Sequence, residues 1–360
     1  MKKLALILSI AFMLSTAITT FAAEKKTYNW RLVTTWSTSI PFYETAQHFA
    51  ETVDKLSEGQ LKIKVYPAGA IVPAFQIFDA VRNGVAQMGH DWPGYWKGKE
   101  EAFVAFASVP FGMNSIEYSM WLQHEGMDLA REVYGKFGLV PLMGGNPGQE
   151  IGFYTKKPVN SVAEMGKMKI RTVGWAADIL EKMGVSISPV PGGETYLALE
   201  RGVVDGAEFS TPSATYPLGF QEVAKNVIVP GWYQTSCQNM FMVNEKAYNE
   251  LPDHLKYILE IASRETQWWS MAEREYENAV AIVNYKKEGV SFNKLDDESL
   301  NKLRETTKNY LDSLRKKDAL LDKVLTSQED LIQLYSNWKK VKSGVSAYPY
   351  EDYINGMHLE

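Results

Sequence analysis

The chain has 360 residues, 45% of them hydrophobic and 22% charged, with 43 acidic against 38 basic side chains. This is the composition of an ordinary globular chain, not of a disordered, collagenous or disulfide-built one, and at roughly 150 residues per domain the length predicts two domains. The lone cysteine, Cys237, excludes intramolecular disulfides, cysteine-rich zinc sites and iron–sulfur clusters, and an acidic balance without a Lys/Arg-rich block argues against a nucleic-acid partner.

Residues 1–23 open with Lys2 and Lys3, continue as an apolar run over 4–13 and end in the small residues Ala22 and Ala23. A positive start, a short apolar core and a small-residue end predict a secretory signal peptide, cleaved after Ala22 or Ala23. The apolar part is shorter than the ~20 residues that span a bilayer. A lipoprotein carries its cysteine at the cleavage point, and here the cysteine is at position 237, so the expected product is a soluble, exported, non-lipidated chain.

Beyond the leader, residues 28–36 are β-branched and aromatic and predict a strand. Residues 41–56 repeat Phe42, Ala46, Phe49, Ala50 and Val53 at helical spacing, and 60–66 alternate Leu61, Ile63 and Val65 against polar neighbours. Strand, helix and strand with short links predict a βαβ unit and an α/β fold. An internal echo extends this: AVRNGVAQMG at 80–89 and ALERGVVDGA at 198–207 each read as a helix, a glycine cap (Gly84, Gly202) and an emerging strand. Ligands of open α/β sheets bind at the carboxyl ends of strands, so the two strand ends predict a cleft between two lobes. Lobe I is expected over 24–147 with a return segment at about 233–260, and lobe II over 148–232.

Residues 252–287 contain no internal Gly or Pro after Pro252, and Leu255, Ile258, Leu259, Ala262, Trp269, Tyr276, Val280 and Val283 keep a helical stripe. A helix of that length measures about 54 Å and runs along both lobes. Two amphipathic helices, at about 297–316 and 319–341, are expected in the tail 289–360, closing the back of the protein or packing on a second copy.

Catalytic motifs are missing. The five histidines form no pair at three- or four-residue spacing, and there is no G-x-S-x-G, G-x-x-x-x-G-K-[ST] or G-x-G-x-x-G. The candidate site residues point to binding instead. Arg171 ends the short strand-like run KIR, where a guanidinium fork suits a ligand carboxylate or a structural ion pair. Glu208 follows the second glycine cap and is misplaced beside such a carboxylate unless it meets a cation, and Gln149 offers a neutral oxygen to complete an oxygen-only site.

These residues also carry a family resemblance. The stretch VPAFQIFDAVRNGVAQMG at 72–89, Gly98 and Lys99, PFGM at 110–113, GGNPGQEIG at 144–152, KIRT at 169–172 and PGGETYLALERGVVDGAE at 191–208 together resemble the solute receptors of TRAP transporters, the DctP type. The likeness covers nearly the whole mature chain and is greatest to the branch that binds 2-oxo acids such as pyruvate, with lactate receptors close by. It implies a two-lobed periplasmic-binding-protein fold with a long helix spanning both lobes and a helical C-terminal tail. It also implies a periplasmic receptor that closes by a hinge over a small monocarboxylate and delivers it to a separate membrane permease. By the resemblance, Arg171 clamps the substrate carboxylate. Gln149 and Glu208, with the backbone carbonyl of Phe209, hold a sodium or calcium ion bridging to the substrate, and no organic cofactor is expected. Phe209 stands where relatives commonly have Trp. Tyr95, in WPGYW at 92–96, resembles a tyrosine that hydrogen-bonds the substrate, and Trp92, Asn146, Trp175 and Gln238 join the substrate-binding set by position. In this branch the resemblance further implies homodimers built by exchanged C-terminal helices. Two other classes stay open from sequence: a secreted, metal-assisted enzyme with Glu208 as general base, and a ligand-sensing partner of a membrane receptor.

Overall fold

The computed structural model describes residues 26–342. The leader reading and the last eighteen residues lie outside the described part. In chain order the strands are β1 (Tyr28–Thr34), β2 (Leu61–Tyr66), β3 (Met88–Asp91), β4 (Leu139–Met143), β5 (Phe153–Thr155), β6 (Lys169–Arg171), β7 (Ser186–Ile187), β8 (Gly206–Ala207), β9 (Asn226–Val229), β10 (Met240–Asn244) and β11 (Ser291–Lys294). They form two sheets, ordered β2-β1-β3-β10-β4 and β11-β9-β5-β8-β6-β7. In each sheet one strand that enters from the other lobe runs against its neighbours: β10 lies antiparallel between β3 and β4, and β5 lies antiparallel between β8 and β9.

The first βαβ unit forms as its pattern predicts. Helix α1 (Pro41–Leu56) starts on a proline and buries Phe42, Thr45, Ala46, Phe49, Ala50 and Val53. Its apolar face covers β1 and β2, which pair in parallel from Tyr28 with Leu61 to Val33 with Tyr66. Gly84 and Gly202 end their helices with φ of 75° and 70°, a conformation that costs a residue with a Cβ roughly 1–2 kcal/mol. The strands that follow, β3 and β8, deliver Trp92 and Glu208 to facing sides of one cleft.

Among the described residues the chain passes between lobes four times: from β4 to β5, from β9 to β10, along helix α3 (Asp253–Lys287), which at 35 residues is about 52 Å long, and finally within the C-terminal tail. One detail of the predicted stripe is corrected. Tyr276, Val280 and Val283 are exposed, and the buried face in that half is formed by Ser270, Arg274, Asn278, Ala281 and Tyr285. The physical cause is the crossing backbone, whose polar groups need partners away from water. Ser263 donates to Met143 O (2.9 Å), Gln267 accepts from Gly145 N (3.1 Å), and Asn278 donates to Pro147 O (2.9 Å) while accepting from Ser213 N (2.9 Å).

The tail also starts later than residue 289, because 291–294 pairs in parallel with β9 and completes the second sheet. Helix α4 (Asp297–Arg315) is capped by Asp296, whose carboxylate accepts from Ser299 N (2.6 Å), and lies on helix α2 (Gly174–Lys182) of lobe II, where Tyr310 donates to Asp178. Helix α5 (Ala319–Lys342) turns back onto lobe I: Gln328 donates to Ala105 O (2.8 Å), Trp121 donates to Ser327 Oγ (3.0 Å), and Leu321, Val324 and Leu325 are buried. The tail therefore clasps both lobes of its own chain. Removing the Leu321 side chain leaves a cavity in that contact, so Leu321→Ala is expected to lower unfolding stability by about 2–5 kcal/mol in urea titrations. A loss below about 1 kcal/mol would show that the tail is not an integral part of the fold.

Candidate functional site

Between the lobes lies a small cavity of about 20 Å³. Lobe I contributes Trp36, Phe42, Trp92 and Tyr95, lobe II contributes Arg171, Val173, Glu208, Phe209 and Ser210, and the crossing segments bring Glu150, Gln234 and Cys237. Trp36 continues β1, and its orientation is set from behind: its indole Nε1 donates to His90 Nδ1 (3.1 Å), and His90 Nε2 donates to Gly144 O (2.8 Å). Burial lowers the His90 pKa to about 4, so the imidazole is neutral and this tautomer is fixed by its two partners. Tyr95 packs edge-on against Trp92 at 5.3 Å.

Arg171 closes β6 and is only 1% exposed. Its Nη1 donates to the Glu208 carbonyl (2.7 Å) and to Glu208 Oε2 (2.9 Å), while Nε and Nη2 both donate to Val190 O (3.2 and 3.0 Å). These bonds use four of the five guanidinium N–H groups, and the face of the guanidinium lies 5.7 Å from the Phe209 ring centre. Glu208 Oε1 in turn accepts from Val173 N (3.2 Å). The arginine and the glutamate thus form a buried, directly hydrogen-bonded ion pair across β6 and β8. Burial raises the Glu208 pKa, and Arg171 counteracts it.

Glu150, one position beyond the expected Gln149, is the side chain that this segment turns into the cavity. Gln149 is exposed and outside the cavity lining, whereas Glu150 is 2% exposed and faces in. In an extended crossing segment successive side chains point to opposite sides, and the Glu150 amide donates to Gln234 O (3.1 Å), which fixes the face presented. Glu150 Oε2 is buried and has no hydrogen-bond partner. Burial and the charge of Glu208 push its pKa well above the ordinary carboxyl range, against the pull of Arg171. Ser210, directly after Phe209, adopts φ of 57°, a strained value for a residue with a side chain, and such strain concentrates where a chain must turn functional groups into a site.

Three other expected contacts lie outside the cavity. Asn146 donates to Ser236 Oγ (2.7 Å) and accepts from Gly148 N (3.1 Å). Gln238 donates to Asn239 O (2.6 Å) and exchanges hydrogen bonds with Gln267 (2.8 and 2.9 Å). Both brace the crossing segments and have little polar capacity left for a ligand. Trp175 is buried and donates to Glu101 Oε1 (2.6 Å), linking the lobes beside the Lys97–Asp178 pair (2.5 Å). Gly174, at φ of 64°, leaves room there for Trp92, which a Cβ would approach to 2.8 Å. Trp36, Phe42, Gln234, Ser210 and Cys237 carried no signal as ligand contacts, although Trp36 and Ser210 each follow a strand's carboxyl end, where the fold places its site.

Enclosure by two α/β lobes with an aromatic wall on one side and an arginine on the other defines a solute receptor of the periplasmic-binding type. Comparison with known proteins agrees: residues 32–318 match the DctP family, bacterial extracellular solute-binding protein, family 7. The chain belongs to this family, whose members are the substrate-capturing receptors of TRAP transporters rather than enzymes. A monocarboxylate 2-oxoacid-binding periplasmic protein of Nostoc sp. is 28% identical over 89% of this chain and 85% of its own length. The solved TRAP periplasmic receptor of Pseudoalteromonas atlantica, with bound sodium and pyruvate, is 31% identical with a TM-score of 0.84, over 92% of this chain and all of that one. The receptor of Colwellia psychrerythraea, with bound calcium and pyruvate, is 31% identical with a TM-score of 0.85, over 91% of this chain and all of that one.

Beneath the aromatic wall, Asp91 is buried with Oδ1 unpartnered and Oδ2 accepting from Trp96 Nε1 (2.7 Å), and burial raises its pKa to about 8. A carboxyl whose folded pKa exceeds its unfolded value stabilises fully at low pH and loses that contribution as pH climbs to the folded pKa. Stability is therefore expected to fall between pH 4 and pH 8. His90 acts in the opposite direction, but only between pH 4 and pH 6.5. Asp91→Asn should flatten the decline between pH 6.5 and pH 8, where one proton corresponds to about 1.4 kcal/mol per pH unit, as read from urea midpoints. An unchanged slope would mean that Asp91 is ionised throughout.

Proposed function

We propose that this receptor captures a small 2-oxo monocarboxylate of the pyruvate type, with a bridging sodium or calcium ion, and presents it to TRAP membrane permease subunits in the periplasm. The observation that carries this reading is the pairing of Arg171 with two buried carboxylates, Glu208 and Glu150, in one small cavity. A lone arginine suits a carboxylate ligand, but an acidic pair beside it suits a cation as well. The donor set fits a hard, oxygen-preferring ion: Glu150 replaces Gln149, Glu208 stays, and the Phe209 backbone carbonyl is the third protein oxygen. Such an ion would offset the ligand's charge against that of the glutamates.

The chain's own residues supply the rest. Arg171 has one N–H left for a ligand carboxylate, and Tyr95, whose pKa burial raises, stays a neutral hydroxyl donor. Trp36, Phe42, Trp92 and Phe209 exclude water, which strengthens every charge interaction inside. Contacts from both lobes bias the hinge toward the closed form, since a ligand shifts an equilibrium only through differential contacts.

Calorimetric titration of the ligand-free, refolded mature protein with pyruvate is expected to give micromolar binding, about −8 kcal/mol. Arg171→Met should abolish it. Because removing one member of a buried pair destabilises by about 3–5 kcal/mol, Arg171→Lys, which keeps the charge, is the companion variant and should lose affinity with a smaller loss of stability. Pyruvate binding that survives Arg171→Met would refute the clamp, and binding of lactate or a longer acid but not pyruvate would move the substrate within the carboxylate class.

A homodimer through the C-terminal helices is part of the same reading. The proximal half of α5 is buried on its own lobe I, but Leu334, Trp338 and Val341 form an exposed stripe at helical spacing, 69%, 56% and 68% accessible. A solved relative from Bordetella bronchiseptica, 26% identical with a TM-score of 0.88, is a dimer. Sedimentation velocity should show a dimer that Trp338→Glu converts to a monomer, and a monomeric parent chain would end this proposal.

A further inference from the structure

Solved relatives hold either sodium or calcium, so the fold itself does not select the ion. The selection must come from the charges this chain places around its cavity. Arg171 and Glu208 are paired within 2.9 Å and nearly cancel. Glu150 is the remainder: buried, lining the same cavity, with Oε2 lacking a hydrogen-bond partner and the Ser210 amide and Tyr233 hydroxyl as its neighbouring donors. A bound monocarboxylate adds a second negative charge to that space. Burial favours the neutral forms of both glutamates, so a bound cation is what holds them ionised; in that state the closed and water-excluded cavity carries an excess of two negative charges, and each uncompensated buried charge costs several kcal/mol. A monovalent cation offsets one of them, and a divalent cation offsets both.

Ligand chemistry narrows the ion further. Cys237 also lines the cavity, but burial pushes its thiol up, so it is a neutral, soft and poor ligand. Among the described residues no cluster of three or more His, Cys, Asp or Glu side chains stands ready to hold a metal by itself. The donors are hard oxygens, and two carboxylates with one carbonyl are fewer than the six to eight that calcium takes. Ligand oxygens are therefore needed to complete the shell.

We propose that Glu150 is the ion-selecting residue of this receptor and makes its site a calcium-class divalent site, with the carboxylate ligand and the ion binding as a coupled pair. This rests on the metal-bridged carboxylate reading above. A glutamine at 150 would keep the shape and one oxygen donor but remove one negative charge, leaving an excess that sodium alone offsets. Coupling is reciprocal: calcium tightens the ligand by the same factor by which the ligand tightens calcium.

The test uses the mature chain and its Glu150→Gln variant, both stripped of ions with a chelator and refolded. Calcium retention is measured by equilibrium dialysis, without and with pyruvate, and pyruvate affinity by calorimetry in calcium, in sodium or in neither. For the parent chain, one calcium per chain is expected, with pyruvate affinity raised about tenfold or more by calcium and hardly by sodium. For Glu150→Gln, calcium retention should fall about tenfold or more and sodium should become the supporting ion. The proposal is overturned if sodium supports the parent chain as well as calcium does, if Glu150→Gln holds calcium unchanged, or if pyruvate binds tightly with neither ion. Calcium held by the parent and lost from the variant, without pyruvate binding under any condition, would uphold the ion selection and sink the 2-oxo acid reading instead. Should the variant fail to fold, the ion dependence of the parent chain alone decides.

Discussion

The arrangement of the site depends on the buried Arg171–Glu208 pair. Neither charge could lie in a water-excluded cavity without the other, because an unpaired buried ion costs more than most single interactions return. Their partnership is set by the second sheet: β6 and β8 lie side by side in parallel, Arg171 registers with Ala207, and Glu208 follows one residue on. The same geometry brings the Glu208 carbonyl and the Val190 carbonyl onto the guanidinium, so that the arginine is held rigidly while one N–H stays unassigned. A preorganised cation in low dielectric is what a small carboxylate needs, since little reorganisation accompanies its binding.

Around that pair, the structure solves the problem of passing a chain between two lobes without stranding backbone polar groups. Helix α3 does this with a buried face that changes from apolar at Leu255 and Leu259 to polar at Gln267, Ser270 and Asn278 where the crossings lie. Gln267, Gln238 and Asn146 form a connected amide network there, each satisfying another. Such a network fixes where Glu150 and Gln234 enter the cavity, which is why residues that touch no ligand still matter to its shape. Outside the cleft the Lys97–Asp178 and Trp175–Glu101 bonds join the lobes, and Tyr310 of the tail donates to the same aspartate. The lobes are thus joined at the rim as well as around the cavity.

Much of this was legible in the residues. The βαβ start, the two glycine-capped helices and the long helix follow from periodicity and from glycine's freedom at positive φ, which are local properties. Arg171 and Glu208 were legible as cavity residues because each stands at a strand's carboxyl end. That Glu150 and not Gln149 lines the cavity was not legible, because a loop has no period from which to tell which of two adjacent side chains points inward. Trp175, Asn146 and Gln238 are aromatic or polar residues near the cleft in sequence, but the partners that tie them across the fold lie 29 to 92 positions away, and only folding shows that these bonds are already made.

By itself, then, the sequence determined the two-lobe α/β plan, the family and the arginine at its centre, since helix stripes, strand alternation and glycine caps are written within a few residues of one another. Tertiary structure alone decided that Glu150 faces the cavity, that half of α3 buries a polar face, that 291–294 belongs to the second sheet and that the tail clasps its own lobes. Those outcomes turn on which distant backbone groups need a partner and which charges must share a space without water, and neither is set by near neighbours in the chain.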